Sequence, residues 1–210
     1  MTPDFDHSLN VYAELLVKVG LNLRAGQRLL IRAPLEAAPL VRAVAAHAYD
    51  GGARLVETIW NDPQFTLTRY KHAPRDSFTE HSDWWWRAGL EYVENGNATL
   101  SIVGTDPDLL KDIDPKLIST ARRTEGMAAM PLGRLITADA VNWCVAGYAT
   151  EAWAARVFPD LPADQQLPRL WEAIFHTVRV DQPDPLAAWA AHSANLIART
   201  QYLNGKQYAA

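Results

Sequence analysis

A single cysteine, Cys144, is present among the 210 residues, so an internal disulfide bond is excluded. Positive charge is also scarce, since 20 lysine and arginine residues face 24 aspartate and glutamate residues, for a net charge of −4. Nucleic-acid-binding proteins carry a basic patch or stripe, so a nucleic-acid partner is disfavoured. No run of about 18 apolar residues could span a membrane, and the acidic, polar first residues lack the apolar core of a secretory signal. We therefore expect a cytoplasmic protein without a membrane partner, with Cys144 as a buried, inert thiol.

Sequence signatures of nucleotide binding and of catalysis are missing as well. The first predicted strand is followed by Arg32-Ala33-Pro34-Leu35-Glu36 instead of G-x-G-x-x-G, and no G-x-x-x-x-G-K-[ST] occurs. Neither H-E-x-x-H nor G-x-S-x-G is present, and the six histidines form no close ligand pair. From the residues we predict no catalytic position and no metal-ligating position in this chain.

Short apolar strands alternate with amphipathic helices along the chain. The predicted strands are residues 28–31, 54–60, 98–103, 135–137 and 141–148. Predicted helix starts combine a polar cap with proline at Asp62-Pro63, Asp106-Pro107, Asp114-Pro115 and Asp184-Pro185, or have capping-box spacing at Ser77 and Glu80. This alternation predicts an α/β fold: a mainly parallel open sheet of about five strands, covered by helices on both faces, with trailing C-terminal helices.

The last predicted helix covers residues 184–203, with Asp184 as its cap. Its expected apolar face comprises Leu186, Trp189, Ser193, Leu196, Thr200 and Leu203. From Asn204 onward this periodicity stops. We therefore expect one α/β domain over residues 1–204 and a frayed tail over residues 205–210, where the sequence is truncated.

Polar residues follow two of the predicted strands at their carboxyl ends. These candidate cleft-lining residues are Asn61, Asp62, Gly104, Thr105, Asp106 and Asp108. In open α/β sheets, ligands bind outside the carboxyl ends of the strands, which makes this edge the expected place for a site. Helix capping is the alternative explanation for the same residues.

Three of the eight tryptophans are adjacent, at Trp84, Trp85 and Trp86, inside a helix predicted over residues 77–94. Successive helical residues are about 100° apart, so the three rings span about 200°. The stripe of a helix that faces a core is little wider than about 100°. At least one ring should therefore face away from the core of this domain, and we expect these tryptophans to contribute to an interface.

Several sequence blocks occur in order along the chain. They are residues 12–23 with Gly26-Gln27, 48–53 with 60–62, 100–103 with 106–111 and 113–115, 153–159, and 170–175 with 179–182 and 184–185. Together these blocks resemble the aminopeptidase T / aminopeptidase S family of metallo-aminopeptidases.

The resemblance implies an enzyme that removes N-terminal residues from peptide substrates through two divalent metal ions, such as zinc or cobalt. Members of the family are typically intracellular dimers, so a homodimer is implied here. The metal ligands of the family lie in a second domain, and none corresponds to a residue of this chain. The resemblance therefore implies an N-terminal domain that is inactive alone, with the catalytic, metal-binding C-terminal domain beyond it.

Two other functions stay open at this point. The chain could be a free-standing α/β binding or interaction module without catalysis. It could also be an independent small-molecule enzyme with a site at the strand ends near residues 104–108. The 3′ sequence of the gene would distinguish these possibilities, because a continuing frame rich in histidine, glutamate and aspartate is expected only for the aminopeptidase.

Overall fold

A parallel sheet forms the centre of the computed structural model, which describes residues 3–208. Within these residues the sheet has four strands, β1 (Arg28–Pro34), β2 (Leu55–Asn61), β3 (Ala98–Val103) and β4 (Trp143–Gly147). The helices are α1 (Pro3–Leu15), α2 (Ala38–Asp50), α3 (Pro63–His72), α4 (Asp83–Glu94), α5 (Pro115–Thr137), α6 (Glu151–Val157), α7 (Ala163–Thr177) and α8 (Pro185–Lys206). This arrangement confirms the predicted α/β class and its parallel sheet.

The order of the strands in the sheet is β2-β1-β3-β4. The chain passes from β1 to β2 on one side and then returns to place β3 on the other side of β1. The order therefore reverses between the carboxyl ends of β1 and β3, and such a reversal leaves a crevice in which ligands of open α/β proteins bind.

The two faces of the sheet are covered unequally. On β1, Leu29, Ile31 and Ala33 point into the main hydrophobic core, which also contains buried residues of α1, α2 and α7. The alternate residues Leu30 and Arg32 point to the opposite face, because successive side chains of a strand alternate. There α4 and α5 provide the cover, and Arg32 stays only half-buried. The second face therefore keeps open space beside the strand ends.

The predicted strand at residues 135–137 is wrong, because these residues form the last turn of α5. Leu132 and Ile136 are four residues apart on this helix, and both line a cavity against the sheet. A three-residue apolar run can satisfy either the helical or the strand pattern, and here packing of the helix decides between them. The sheet consequently has four strands in the described residues instead of about five.

Two predicted helix starts are also wrong. Ser77 lies in a short 3-10 turn, Arg75–Thr79, where its hydroxyl donates to the Pro74 carbonyl at 2.7 Å. The helix with the three tryptophans begins only at Asp83. Asp106 forms a turn, in which its side chain accepts a hydrogen bond from the backbone N–H of Asp108 at 2.8 Å. In both places the polar side chain satisfies a local turn instead of a helix terminus.

The other three predicted caps are confirmed. The side chains of Asp62, Asp114 and Asp184 each accept a hydrogen bond from a backbone N–H in the first turn of α3, α5 and α8. Proline follows each of them, in the first turn, where its missing N–H costs no helical hydrogen bond.

Helix α8 extends three residues beyond its predicted end at Leu203, and Gln207 ends it with a left-handed φ of 48°. Gly205 and Lys206, which we expected in the frayed tail, are therefore helical, while residues 209–210 lie outside the described residues. Only the start of the predicted apolar face packs on the core, through Leu186 and Trp189. Within residues 3–208, no helix combines the length and the apolar character needed to cross a bilayer.

Candidate functional site

A cleft of about 730 Å³ opens at the carboxyl ends of β1, β2 and β3. We call it the strand-end cleft; its lining includes Arg32, Asn61, Trp85, Trp86, Ser101 and Glu125. The sheet provides its floor, the first turns of α4 provide one wall, and α5 contributes Glu125. The cleft therefore lies where the strand order reverses, at the position that the topology favours for a ligand.

Arg32 lies on the floor of this cleft. It pairs in register with Ile59 of β2 on one side and with Ser101 of β3 on the other. Its guanidinium carbon lies 5.4 Å from the ring centroid of Trp85 and 5.5 Å from that of Trp86, which is cation–π geometry. In the described part of the chain, Arg32 forms no ion pair with any carboxylate.

Burial lowers the pKa of the Arg32 guanidinium, and the nearby Glu125 carboxylate acts in the opposite direction. A guanidinium ionises so far above neutral pH that Arg32 remains protonated in the cell. The floor of the cleft therefore presents a permanent cation whose N–H donors are available to an anion.

Arg69 also lines the cleft but has a structural role. Its Nη2 donates to the backbone carbonyls of Ser77 at 3.2 Å and Glu80 at 3.5 Å. Its guanidinium carbon lies 4.8 Å from the ring centroid of Phe78, which is fully buried. Arg69 thus fixes the turn that leads into α4, and its Nη2 is engaged with two backbone carbonyls.

A smaller, mainly apolar cavity of about 160 Å³ adjoins the strand-end cleft and shares Arg32, Trp85 and Trp86 with it. Its other lining residues include Leu30, Ile59, Leu132, Ile136 and Cys144. Burial raises the pKa of the half-buried Cys144 thiol, which therefore stays protonated and weakly nucleophilic at neutral pH.

A second large cavity, of about 700 Å³, lies beside the same strand ends and is lined by Glu36, Asp106, Tyr148 and Trp171, among others. Burial raises the pKa of the Tyr148 phenol, and the Glu36 carboxylate raises it further. Gly104 lies between the two cavities, and a Cβ atom there would be 2.2 Å from the Tyr148 carbonyl oxygen. The close approach of these two backbone segments requires glycine at this position.

The structure brings together only part of the predicted site. Asn61, Gly104 and Thr105 line the strand-end cleft together with Trp84, Trp85 and Trp86. Asp62 instead caps α3, accepting from the Gln64 N–H at 2.8 Å, and Asp106 lines the second cavity. Asp108 points elsewhere, with its carboxylate 3.9 Å from Arg156. Trp84 is the exposed member of the tryptophan cluster, at 67 % exposure, while Trp85 and Trp86 are half-buried.

Sequence analysis missed Arg32, Ser101 and Glu125. One signal could have identified Arg32, since it is a charged residue inside the otherwise apolar segment Leu29-Leu30-Ile31-Arg32-Ala33 of a central strand. Such a position is normally apolar in a parallel sheet, so a cation there indicates a local role. Ser101 and Glu125 carry no comparable signal, because their roles depend on contacts that only the fold creates.

Comparison with known proteins relates this architecture to one family. The family model described as "Thermophilic metalloprotease (M29)" matches residues 5–210. The chain belongs to this family. The match confirms the resemblance to aminopeptidases T and S that the sequence blocks indicated.

Curated relatives of this M29 chain are aminopeptidases. It is 47 % identical over 204 residues to aminopeptidase 2 from Geobacillus stearothermophilus, covering 97 % of this chain and 49 % of that protein. It is 36 % identical over 204 residues to aminopeptidase T from Thermus thermophilus, covering 97 % of this chain and 50 % of that protein. The chain thus spans about half the length of the curated relatives that it matches.

A solved structure agrees with these sequence matches. Wild-type AmpT from Thermus thermophilus superimposes with a TM-score of 0.89 at 35 % identity, covering 97 % of this chain and 50 % of the other. At this level of similarity, the M29 chain has the fold of the matching half of that protein.

The metalloprotease family implies metal ions, but the described residues of this M29 chain do not fit a metal centre. Within residues 3–208, no group of three or more histidine, cysteine, aspartate or glutamate side chains is arranged to hold a metal ion. The pairs His176–Asp181, 2.7 Å apart, and His81–Asp83, 2.8 Å apart, each bring only two such groups together, and the hydrogen bond from His176 lowers the pKa of the Asp181 carboxyl. A two-metal hydrolase needs several such groups converging on ions about 3.5–4 Å apart.

Proposed function

We propose that this chain is the N-terminal domain of a metal-dependent aminopeptidase that removes N-terminal residues from peptides. One observation carries the proposal: the M29 family model matches residues 5–210, while relatives with aminopeptidase names are about twice as long. In this proposal the domain comprises residues 1–204, and a metal-binding catalytic half lies beyond this chain.

The ligand chemistry of the described residues supports the proposed division. Three aspartates that follow predicted strands or precede helices are used locally, Asp62 and Asp184 as helix caps and Asp106 in a turn. We propose that two divalent ions, such as zinc or cobalt, are held by the other half of the enzyme. In this proposal, no residue of this chain takes part in the chemical step.

Exposed apolar surface supports a structural contribution of this domain to the whole enzyme. Beyond Trp189, helix α8 has no buried residue, and Leu196, Ile197 and Leu203 are at least half exposed. Isolated exposed apolar residues are ordinary, but several on one helix commonly mark an interface. We propose that this part of α8 packs against the catalytic half, and that the surface at Trp84 belongs to an interface of the homodimer or between domains.

The test compares the 210-residue chain with the longer protein that this proposal predicts, expressed from the complete gene. Each is incubated with cobalt or zinc and leucine p-nitroanilide, with and without a chelator. We expect turnover that the chelator abolishes only for the longer protein. Chelator-sensitive turnover by the 210-residue chain would contradict the proposed division of the enzyme.

A binding module without catalysis is the second candidate, and the half-buried cation of the strand-end cleft favours it. Under this alternative, the reading frame would end in a stop codon directly after this chain, and the 210-residue protein would express stably without aminopeptidase activity with any of the metals. The 3′ sequence of the gene, read together with this assay, therefore separates the two functions.

A further inference from the structure

The strand-end cleft has an unusual charge on its floor. The Arg32 guanidinium is half-buried within 5.5 Å of the centroids of two indole rings, and no carboxylate of the described residues pairs with it. Removing a cation from water costs free energy, and cation–π contacts offset only part of that cost. A guanidinium presents a rigid fork of donors that matches a carboxylate. The floor of the cleft is therefore a position for an anionic group.

Negative charges, opposite in sign to that of Arg32, lie on the walls of the same cleft. Glu80 and Glu125 both line it, and neither forms an ion pair within the described residues. Glu125 is close enough to Arg32 to raise its pKa, yet the two charged groups do not come within 4.0 Å of each other. A ligand with a negative and a positive group fits this arrangement. The two carboxylates disfavour a doubly charged phosphate, although Arg69, which holds the Ser77 and Glu80 carbonyls, is a second cation in the lining.

The small apolar cavity adjoins the same arginine. Its volume is about 160 Å³, and Leu30, Ile59, Leu132 and Ile136 line it together with the two indoles. An apolar cavity of about 150 Å³ is large enough to bind benzene. A leucine-sized or phenylalanine-sized side chain can therefore occupy it while a polar group stays at Arg32.

We propose that the strand-end cleft binds a free α-amino acid with an apolar side chain. Its carboxylate contacts Arg32, its ammonium group faces Glu80 and Glu125, and its side chain enters the small cavity. This inference rests on residues of this chain and is independent of the proposed aminopeptidase function. It is tested by binding, with a chelator present, so that an absent catalytic half does not affect the outcome.

The first experiment is a calorimetric titration of the 210-residue chain with L-leucine. Three analogues each remove one feature: leucinamide lacks the carboxylate, 4-methylpentanoate lacks the ammonium group, and glycine lacks the side chain. We expect each analogue to bind at least about tenfold more weakly than leucine, since loss of about 1.4 kcal/mol of interaction is tenfold in affinity. A leucyl dipeptide that binds more tightly than leucine would overturn the assignment to a free amino acid.

Variants then test the roles of the two charges. Arg32→Gln should weaken leucine binding by about tenfold to a hundredfold, because it removes a charge-assisted contact. Arg28→Gln is the matched control, since Arg28 is exposed on the same strand and outside the cleft, and it should leave binding unchanged. Arg32→Lys should retain part of the affinity, because it keeps the charge without the fork.

Glu125→Gln gives an outcome that does not depend on Arg32 variants being folded. It should weaken the binding of leucine but strengthen the binding of 4-methylpentanoate, because one negative wall charge is lost. Circular dichroism melting confirms that each variant is folded. The proposal is overturned if leucine does not bind at millimolar concentration, if Arg32→Gln binds it normally, or if inorganic phosphate binds more tightly than leucine.

Discussion

The Tyr12 hydroxyl of α1 donates a hydrogen bond to the Gly147 carbonyl at the end of β4, at 3.1 Å. The Tyr12 side chain is only 1 % exposed, and its ring contacts Phe175 of α7 edge-on, with the centroids 6.2 Å apart. Tyr12 therefore connects α1 to β4 and to α7.

Replacing Tyr12 by phenylalanine should lower the free energy of unfolding by about 1–2 kcal/mol. The ring stays in place, but the Gly147 carbonyl loses a buried partner. Urea denaturation followed by circular dichroism measures the change. Tyr49→Phe is the matched control: the Tyr49 hydroxyl accepts from the Val56 N–H, but Tyr49 is 49 % exposed, so water can replace it. An equal loss in both variants would contradict this explanation.

The stability advantage conferred by Tyr12 should decrease in alkali. Burial raises the pKa of the Tyr12 phenol above its ordinary value of about 10, so the unfolded chain releases this proton first. Its contribution is therefore fully present below about pH 10 and is lost as the pH rises further, by up to about 1.4 kcal/mol for each pH unit. The difference in unfolding free energy between the wild type and Tyr12→Phe should shrink from pH 9 to pH 11. A difference in unfolding free energy that grows from pH 9 to pH 11 would contradict a raised pKa of Tyr12 in the folded protein.

Gly104→Ala should destabilise the fold by about 1–3 kcal/mol or more. Its Cβ would lie 2.2 Å from the Tyr148 carbonyl oxygen, so backbone must move in a packed region. Gly126→Ala is the control, since Gly126 lies inside α5 and its Cβ would meet nothing within 4 Å. That substitution should stabilise the protein by about 0.5–1 kcal/mol through helix propensity. Thermal melting of both variants shows whether the two shifts have opposite signs.

Trp84→Gln should reduce self-association without loss of stability. Trp84 is 67 % exposed, so its replacement removes apolar surface at little cost to the core. Sedimentation at micromolar concentration should show dimers or larger species for the wild type and mainly monomers for the variant. Trp85→Gln is the comparison: Trp85 is half-buried over Arg32, so that variant should melt at a lower temperature. A monomeric wild type would rule out an interface at Trp84 in the isolated chain.

Much of the fold follows from local sequence patterns. Four of the five predicted strands and the caps at Asp62, Asp114 and Asp184 agree with their predictions, because each depends on neighbouring residues alone. The errors fall where a local pattern suits two structures. Residues 135–137 are apolar enough for a strand, but the preceding residues of α5 extend the helix through them.

The candidate site could be predicted only in outline. Parallel strands place their carboxyl ends together, which is why Asn61, Gly104 and Thr105 meet in one cleft. The contact of Arg32 with Trp85 and Trp86 depends on how α4 crosses the sheet, and no spacing in the sequence encodes that crossing. For the same reason the predicted roles of Asp62 and Asp108 depended on side-chain directions that local sequence does not determine.

The position of β1 between β2 and β3 has a consequence for how this protein is made. The starts of β1 and β3 are joined by a hydrogen bond from the Arg28 backbone N–H to the Asn97 side-chain oxygen, and these two residues are 69 positions apart in the sequence. At a synthesis rate of about 5–20 residues per second, β3 leaves the ribosome roughly 3–14 seconds after β1. During that interval one edge of the central strand has no partner and is open to wrong pairing. Early protection of this edge during translation, by a chaperone or by transient contacts, should therefore determine the yield of folded protein.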